Sequence, residues 1–193
     1  MKYYTLKQED DPATFVEFWA RRYNYRDEQR YREYIKQPLT LESARELFAW
    51  KAMQINRRKI REGKHPFVET VIANLCRFYS LPLSTPEDAN NFLTNELKDK
   101  GMIWKIFTLH IMYPDMYPIF DQNVYRAMHY LQTDTIKEIP SKNSEKQTSY
   151  ITEYLPFYNT HGYYSDRKLD KALFSFGQFL KTRTPSDVIQ IVA

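Results

Sequence analysis

Apolar residues recur at spacings of three and four along most of the chain, and strict alternation over a strand's length is hard to find, so the pattern predicts an all-helical protein. Helices are expected over about 13–23, with Phe15, Phe18 and Trp19 on one side, over 26–36, and over 41–61, with Leu41, Ala44, Leu47 and Phe48 facing inward. A further helix spans 66–80 and opens on Pro66, a residue suited to a first helical position. The run STPED at 84–88 joins a hydroxyl cap, a proline and two acids, and so starts a helix that runs to about Lys98. Gly101 breaks that helix, and MIWKIFTLHIMY at 102–113 is apolar almost all round, as a buried central helix would be. After Pro114 and Pro118 a helix runs from Asp121 to about Gln132, residues 133–144 read as a loop, and helices follow at 145–158 and 166–182. No repeat is present, which excludes a solenoid. One compact helical domain over 1–193 is expected, with lobes formed by 65–132 and by 1–64 with 133–193.

Composition narrows the class without naming a function. Of the 193 residues 42% are apolar and 27% charged, and no apolar run approaches the twenty residues that cross a bilayer. A soluble protein without a membrane partner is expected, and the N-terminus MKYYTLKQEDDP lacks a signal-peptide pattern, which points to the cytoplasm. Cys76 is the single cysteine, so an internal disulfide, a zinc knuckle and a cysteine-bound cluster are excluded. In the helical context VIANLCRFY it reads as a small buried core residue.

Charge is unevenly placed. Residues 1–64 carry 15 Lys+Arg against 10 Asp+Glu, whereas residues 65–193 carry 13 against 14. Within the basic third, FWARRYNYRDEQRYREY at 18–34 interleaves arginines with tyrosines, which suits phosphates and stacked bases. An amphipathic helix pair whose arginines meet Asp27, Glu28 and Glu33 explains the same tract. NRRKIREGK at 56–64 is more one-sided, and Arg57, Arg58 and Lys59 are its candidate phosphate contacts; a solvated helix end with cations near its C-terminal dipole is the alternative.

Common catalytic signatures are missing: there is no Gly-rich phosphate loop, no GxSxG and no HExxH, and His65, His110, His129 and His161 lack ligand spacing. No metal and no cofactor is expected. Asp121, at the start of DQNVYRAM, reads by itself as a helix N-cap.

The order of parts over 96–128, ELKDKGMIWKIFTLHIMYPDMYPIFDQNVYRAM, resembles the helix-hairpin-helix DNA glycosylase superfamily. A helix, a short glycine-bearing turn and an apolar helix are followed by a proline-containing loop and an aspartate, and the interval from Gly101 to Asp121 is similar to that family's. PIFDQNV followed by Arg126 is similar to the family's proline, apolar residue, Asp, two residues, Val and Arg. The likeness covers about 35 residues. It implies a helix-hairpin-helix DNA glycosylase-like fold of about eight to ten helices in two lobes, double-stranded DNA as partner, and Asp121 as the catalytic carboxylate of a base-excision hydrolase. It implies further that Lys98, Lys100, Gly101 and Lys105 contact DNA, and that Trp104, Tyr113, Asn123 and Tyr125 line the pocket for a flipped base. Departures are visible: KDKG has one glycine, Met102 and Ile103 stand where bifunctional members carry a Schiff-base lysine, Asn123 replaces a histidine, and the four-cysteine cluster is absent. A monofunctional glycosylase fits these departures, beside two rival classes, a non-catalytic nucleic-acid-binding relative and a helical protein-protein module.

Overall fold

Helix boundaries follow capping chemistry closely. The computed structural model describes residues 11–36, 38–52, 54–97, 101–161 and 167–181. Asp11 caps α1 (Pro12–Ala20), accepting the N–H groups of Ala13 and Thr14 at 3.1 and 3.0 Å. After α2 (Glu28–Tyr34), Thr40 caps α3 (Leu41–Lys51) through the N–H of Ser43 at 3.0 Å. Next come α4 (Gln54–Arg61) and α5 (Pro66–Tyr79), the latter opening on its proline. At α6 (Pro86–Asn95), Thr85 and Asp88 each accept the other's backbone N–H, a reciprocal box that satisfies two otherwise orphaned donors. The remaining elements are α7 (Met102–Met112), α8 (Gln122–Thr133), α9 (Asn143–Thr148), a π-helical segment (Ser149–Tyr154), α10 (Leu155–His161) and α11 (Lys168–Leu180). The described residues are helical and contain no strand.

Two boundaries differ from the expected ones. The helix expected over 41–61 breaks at Ala52, whose backbone is extended at φ −75° and ψ 149°. Two arginines stabilise that break, one distant in sequence and one just beyond it: Arg26 Nη2 donates to the Ala52 carbonyl at 2.7 Å, and Arg57 Nε to the Ala49 carbonyl at 3.1 Å. Orphan carbonyls at the end of α3 are thus satisfied by guanidinium groups. The helix expected over 145–158 instead extends from α9 through the π segment into α10. Pro156 has no N–H to give the carbonyl four residues back, and the Leu155 N–H reaches five back to Tyr150.

The chain divides into two units, one from Tyr25 to Tyr117 and one formed by residues up to Asn24 with those from Pro118 onward. Asp121 falls in the unit formed by the N- and C-terminal segments, whereas Gly101 falls in the Tyr25–Tyr117 unit. In the Tyr25–Tyr117 unit, Phe48 of α3 lies against Phe67 of α5 and Phe107 of α7 at ring distances of 5.9 and 5.5 Å. All three rings are buried, and burying each contributes roughly 2 to 3 kcal/mol. In the other unit α11 packs on α1 and α8, with Phe176 touching Phe15, Trp19 and Tyr130.

Cys76 corrects the reading made from its apolar neighbours: its side chain is exposed on α5, while Leu75 and Phe78 take the inward positions. Among the described residues no helix is long and apolar enough to cross a membrane.

Candidate functional site

Pro118, Ile119 and Phe120 are buried and lead into Asp121, the N-cap of α8. The Asp121 backbone is extended at φ −157° and ψ −178°, and its Oδ1 accepts the N–H groups of Asn123 at 2.9 Å and Val124 at 3.3 Å. The positive end of the helix dipole favours a carboxylate there. Asp121 is half-buried, so the fold holds the carboxylate without enclosing it.

What fixes this turn comes from three other elements. The Phe120 ring is boxed by Tyr125, Tyr150 and Tyr154 at 6.0, 5.3 and 5.2 Å. Tyr150 donates its hydroxyl to the Pro118 carbonyl at 3.4 Å. Asp170, buried on α11, accepts the Tyr154 hydroxyl through Oδ1 at 3.2 Å and faces the backbone N–H of Ile119. Arg167 Nε stands 3.5 Å from Asp170 Oδ2. Burial pushes the Asp170 carboxyl up to about 6, against the pull of Arg167, Tyr154 and the Ile119 N–H, and the neighbouring charge of Asp121 adds to the rise. Burial, with Asp170 close by, likewise holds the Tyr154 phenol well above its ordinary value.

One turn into α8, Arg126 is buried and bonds Glu138 through both Nε and Nη2, at 2.9 to 3.0 Å. Its Nη1 donates to the Gly177 carbonyl at 2.7 Å and to Asn123 Oδ1 at 3.2 Å. Because the Asn123 side-chain oxygen accepts from Arg126, its amide NH₂ is turned the other way. Gly177 is required here by packing, since a Cβ would sit 1.9 Å from the Asn123 carbonyl oxygen.

Of the residues expected at the site, Asp121, Asn123 and Tyr125 share this turn and the first turns of α8. Tyr125 is fully buried against Phe120, with Lys137 Nζ 6.0 Å from its ring centre. Trp104 and Tyr113 lie in the Tyr25–Tyr117 unit. There Trp104 stacks on Phe48 and His65, at 5.7 and 5.2 Å, and Tyr113 meets Tyr79 edge-on at 5.6 Å. Gly101 is exposed and N-caps α7, and a Cβ at this position would meet nothing within 4 Å. Lys98 and Lys100 lie outside the described residues. Lys105 is buried, and its ammonium donates to the Leu93 carbonyl at 2.9 Å, which satisfies an end carbonyl of α6. Arg57 is held by Ala49 and by Asp27 at 3.0 Å, whereas Arg58 and Lys59 are exposed.

No group of three His, Cys, Asp or Glu side chains among the described residues is placed to hold a metal. His110 is buried between the Tyr31 hydroxyl at Nε2, 2.8 Å away, and the Tyr117 carbonyl at Nδ1, 2.7 Å away. A carbonyl can only accept, so Nδ1 carries the hydrogen and Nε2 receives the phenol's. Asp170, Tyr154 and Glu138 are the site-supporting residues that sequence reading passed over. Signals for two of them were present: tyrosines recur every fourth residue at 150, 154 and 158, and Asp170 shares an apolar helix side with Leu173 and Gly177. Comparison with known proteins yields no matching family model, no matching curated protein and no matching solved structure.

Proposed function

We propose that this chain is a DNA-binding protein of the helix-hairpin-helix glycosylase type that hydrolyses the N-glycosidic bond of a damaged base. The observation that carries this reading is the Asp121 turn: a half-buried carboxylate at a helix N-terminus, within the PIFDQNV text, immobilised by groups from α8, the π segment and α11. Breaking the bond between base and C1′ puts positive charge on the sugar. A carboxylate held in place stabilises that charge without reorganising at the moment of reaction. Water attacks C1′, the base departs with the electron pair of the broken bond, and Asp121 receives the water proton, which passes to the leaving base through solvent. Asn123, with its amide oriented by Arg126, lies one residue beyond the α8 start and is suited to meet a flipped base. Exposed Gly101 before α7 and exposed Arg58 and Lys59 on α4 are the backbone-contacting groups in this reading.

Incubating the purified chain with duplexes carrying alkylated, deaminated or oxidised bases tests the reading, with Asp121→Asn in parallel. Excision by the natural chain and loss of at least 100-fold in Asp121→Asn is expected; equal activity of the two, or none across the panel, overturns it. A second reading, a non-catalytic nucleic-acid-binding relative, is favoured by the fact that capping α8 already accounts for two hydrogen bonds at Asp121. Salt-dependent duplex binding that Asp121→Asn leaves unchanged, without excision, is its signature.

A further inference from the structure

We propose that Asp170 is a positioning residue for Asp121: its buried carboxylate holds the hydroxyl of Tyr154, whose ring lies against Phe120, and faces the Ile119 N–H, and so fixes the turn that aims Asp121 out of the α8 N-terminus. The inference rests on the role given to Asp121 above and adds a residue outside the PIFDQNV segment.

The geometry is specific. Ile119 is two residues before Asp121, so its peptide plane sets the direction in which the chain enters the cap. Asp170 reaches that peptide from α11, about two turns before Gly177, where the backbones of α11 and α8 are in contact. Tyr154 approaches the same carboxyl from the π segment, and Phe120 lies against Tyr154. One carboxyl therefore ties two elements, α11 and the π segment, to the turn. An ionised carboxylate accepts such bonds more strongly than a neutral acid. The charged or titratable groups that face it are Arg167 at the start of α11, Tyr154 on the π segment and Asp121 itself. Burial and the Asp121 charge favour the protonated form, and Arg167 opposes them, so the balance tips near neutral pH and not near 4. As pH falls through about 6, Asp170 takes up a proton, its hold on the Tyr154 hydroxyl and its attraction for the Ile119 N–H weaken, and Asp121 loses its fixed direction while keeping its own cap bonds.

The test uses the full isotope-labelled chain and NMR titration between pH 4.5 and 8, following the Asp170 carboxyl carbon and the Ile119 amide proton. A shared transition is expected in the natural chain, with the Ile119 amide moving as Asp170 protonates. In Asp170→Asn that movement is lost while core amides of α1 and α8 keep their positions. In Tyr154→Phe, which removes one hydroxyl and retains the packing, the shared transition moves to higher pH. An Ile119 amide that ignores the Asp170 titration, or a transition that survives Asp170→Asn, overturns the proposal. Single-turnover excision supplies the functional readout: the rate in the natural chain falls at least tenfold from pH 7.5 to 5, and Asp170→Asn is slow and flat across that range with duplex affinity unchanged. A rate profile that keeps its acid limb in Asp170→Asn also overturns it. Should no duplex be cut, the glycosylase reading fails alone, because the NMR titration still decides whether Asp170 positions the turn.

Discussion

Helices α7 and α8 are alike in length, but their mouths are built differently. Asp121 at α8 bonds two backbone donors, and the three residues before it are fixed by Tyr150, Asp170 and a box of aromatic rings. Gly101 at α7 is exposed, has no side chain to cap the helix, and leaves open space where a Cβ would stand. A carboxylate that must meet a reacting atom within a fraction of an ångström needs the first kind of support. A helix end that grips a backbone from outside gains from the second, because a glycine at the cap lets a partner approach the N–H groups closely.

The two mouths can be set apart by substitution, most sharply with glycines. Gly177→Ala drives a methyl into the Asn123 carbonyl behind the α8 mouth, and a loss of about 3 kcal/mol or more is expected in denaturant unfolding, because neither backbone can move aside. Asp170→Asn comes next. The native chain holds a proton on Asp170 between about 4 and about 6 that the unfolded chain has lost, so ionising this group destabilises the fold as pH rises through that window. Relative to the natural chain, the variant should therefore gain up to about 3 kcal/mol between pH 3.5 and 7.5, read from paired unfolding curves; a constant difference would show that the carboxyl is not buried as described. Glu138→Ala leaves the buried Arg126 guanidinium without its bidentate partner and should cost about 1 to 2 kcal/mol, moderated because Glu138 itself is largely exposed. Asp121→Ala removes the cap and should cost about 1 kcal/mol, whereas Asp121→Asn keeps it and should be near neutral in the same assay. At the other mouth, Gly101→Ala should shift stability by only a few tenths of a kcal/mol, since its φ of −61° suits any residue. A large loss there would mean that Gly101 is more tightly packed than its open surroundings indicate.

Legibility in the sequence followed the range of the forces involved. Starts such as Pro66 and STPED, and the apolar span of α7, are local, and the structure places α5, α6 and α7 within a few residues of the expected limits. The break at Ala52 was invisible because Arg26 stabilises it from outside the segment and Arg57 does so by folding back across the break itself. The same remoteness explains the arginine tract: Arg57 pairs with Asp27, and Arg30 and Arg61 converge on Glu46, a residue of α3 outside the tract. At the site, Asp121 as a cap could be read directly from the chain. Its supports could not, since a buried aspartate such as Asp170 and an inward lysine such as Lys105 look, in a string of letters, like surface residues.

The π segment has a consequence for timing along its helix. In a pure α-helix, side chains four residues apart advance about 40° around the axis at each step, so Tyr150, Tyr154 and Tyr158 would fan away from Phe120. A turn closed by bonds reaching five residues back rotates more slowly and cancels part of that advance, and successive tyrosine rings stay about one ring apart, at 6.2 and 6.1 Å. Pro156, which cannot give an N–H to the carbonyl four residues back, thus stands where the winding relaxes: deleting one residue from 149–153 would restore ordinary winding and leave everything beyond it nearly in phase, so that Tyr158 would keep its side of the helix.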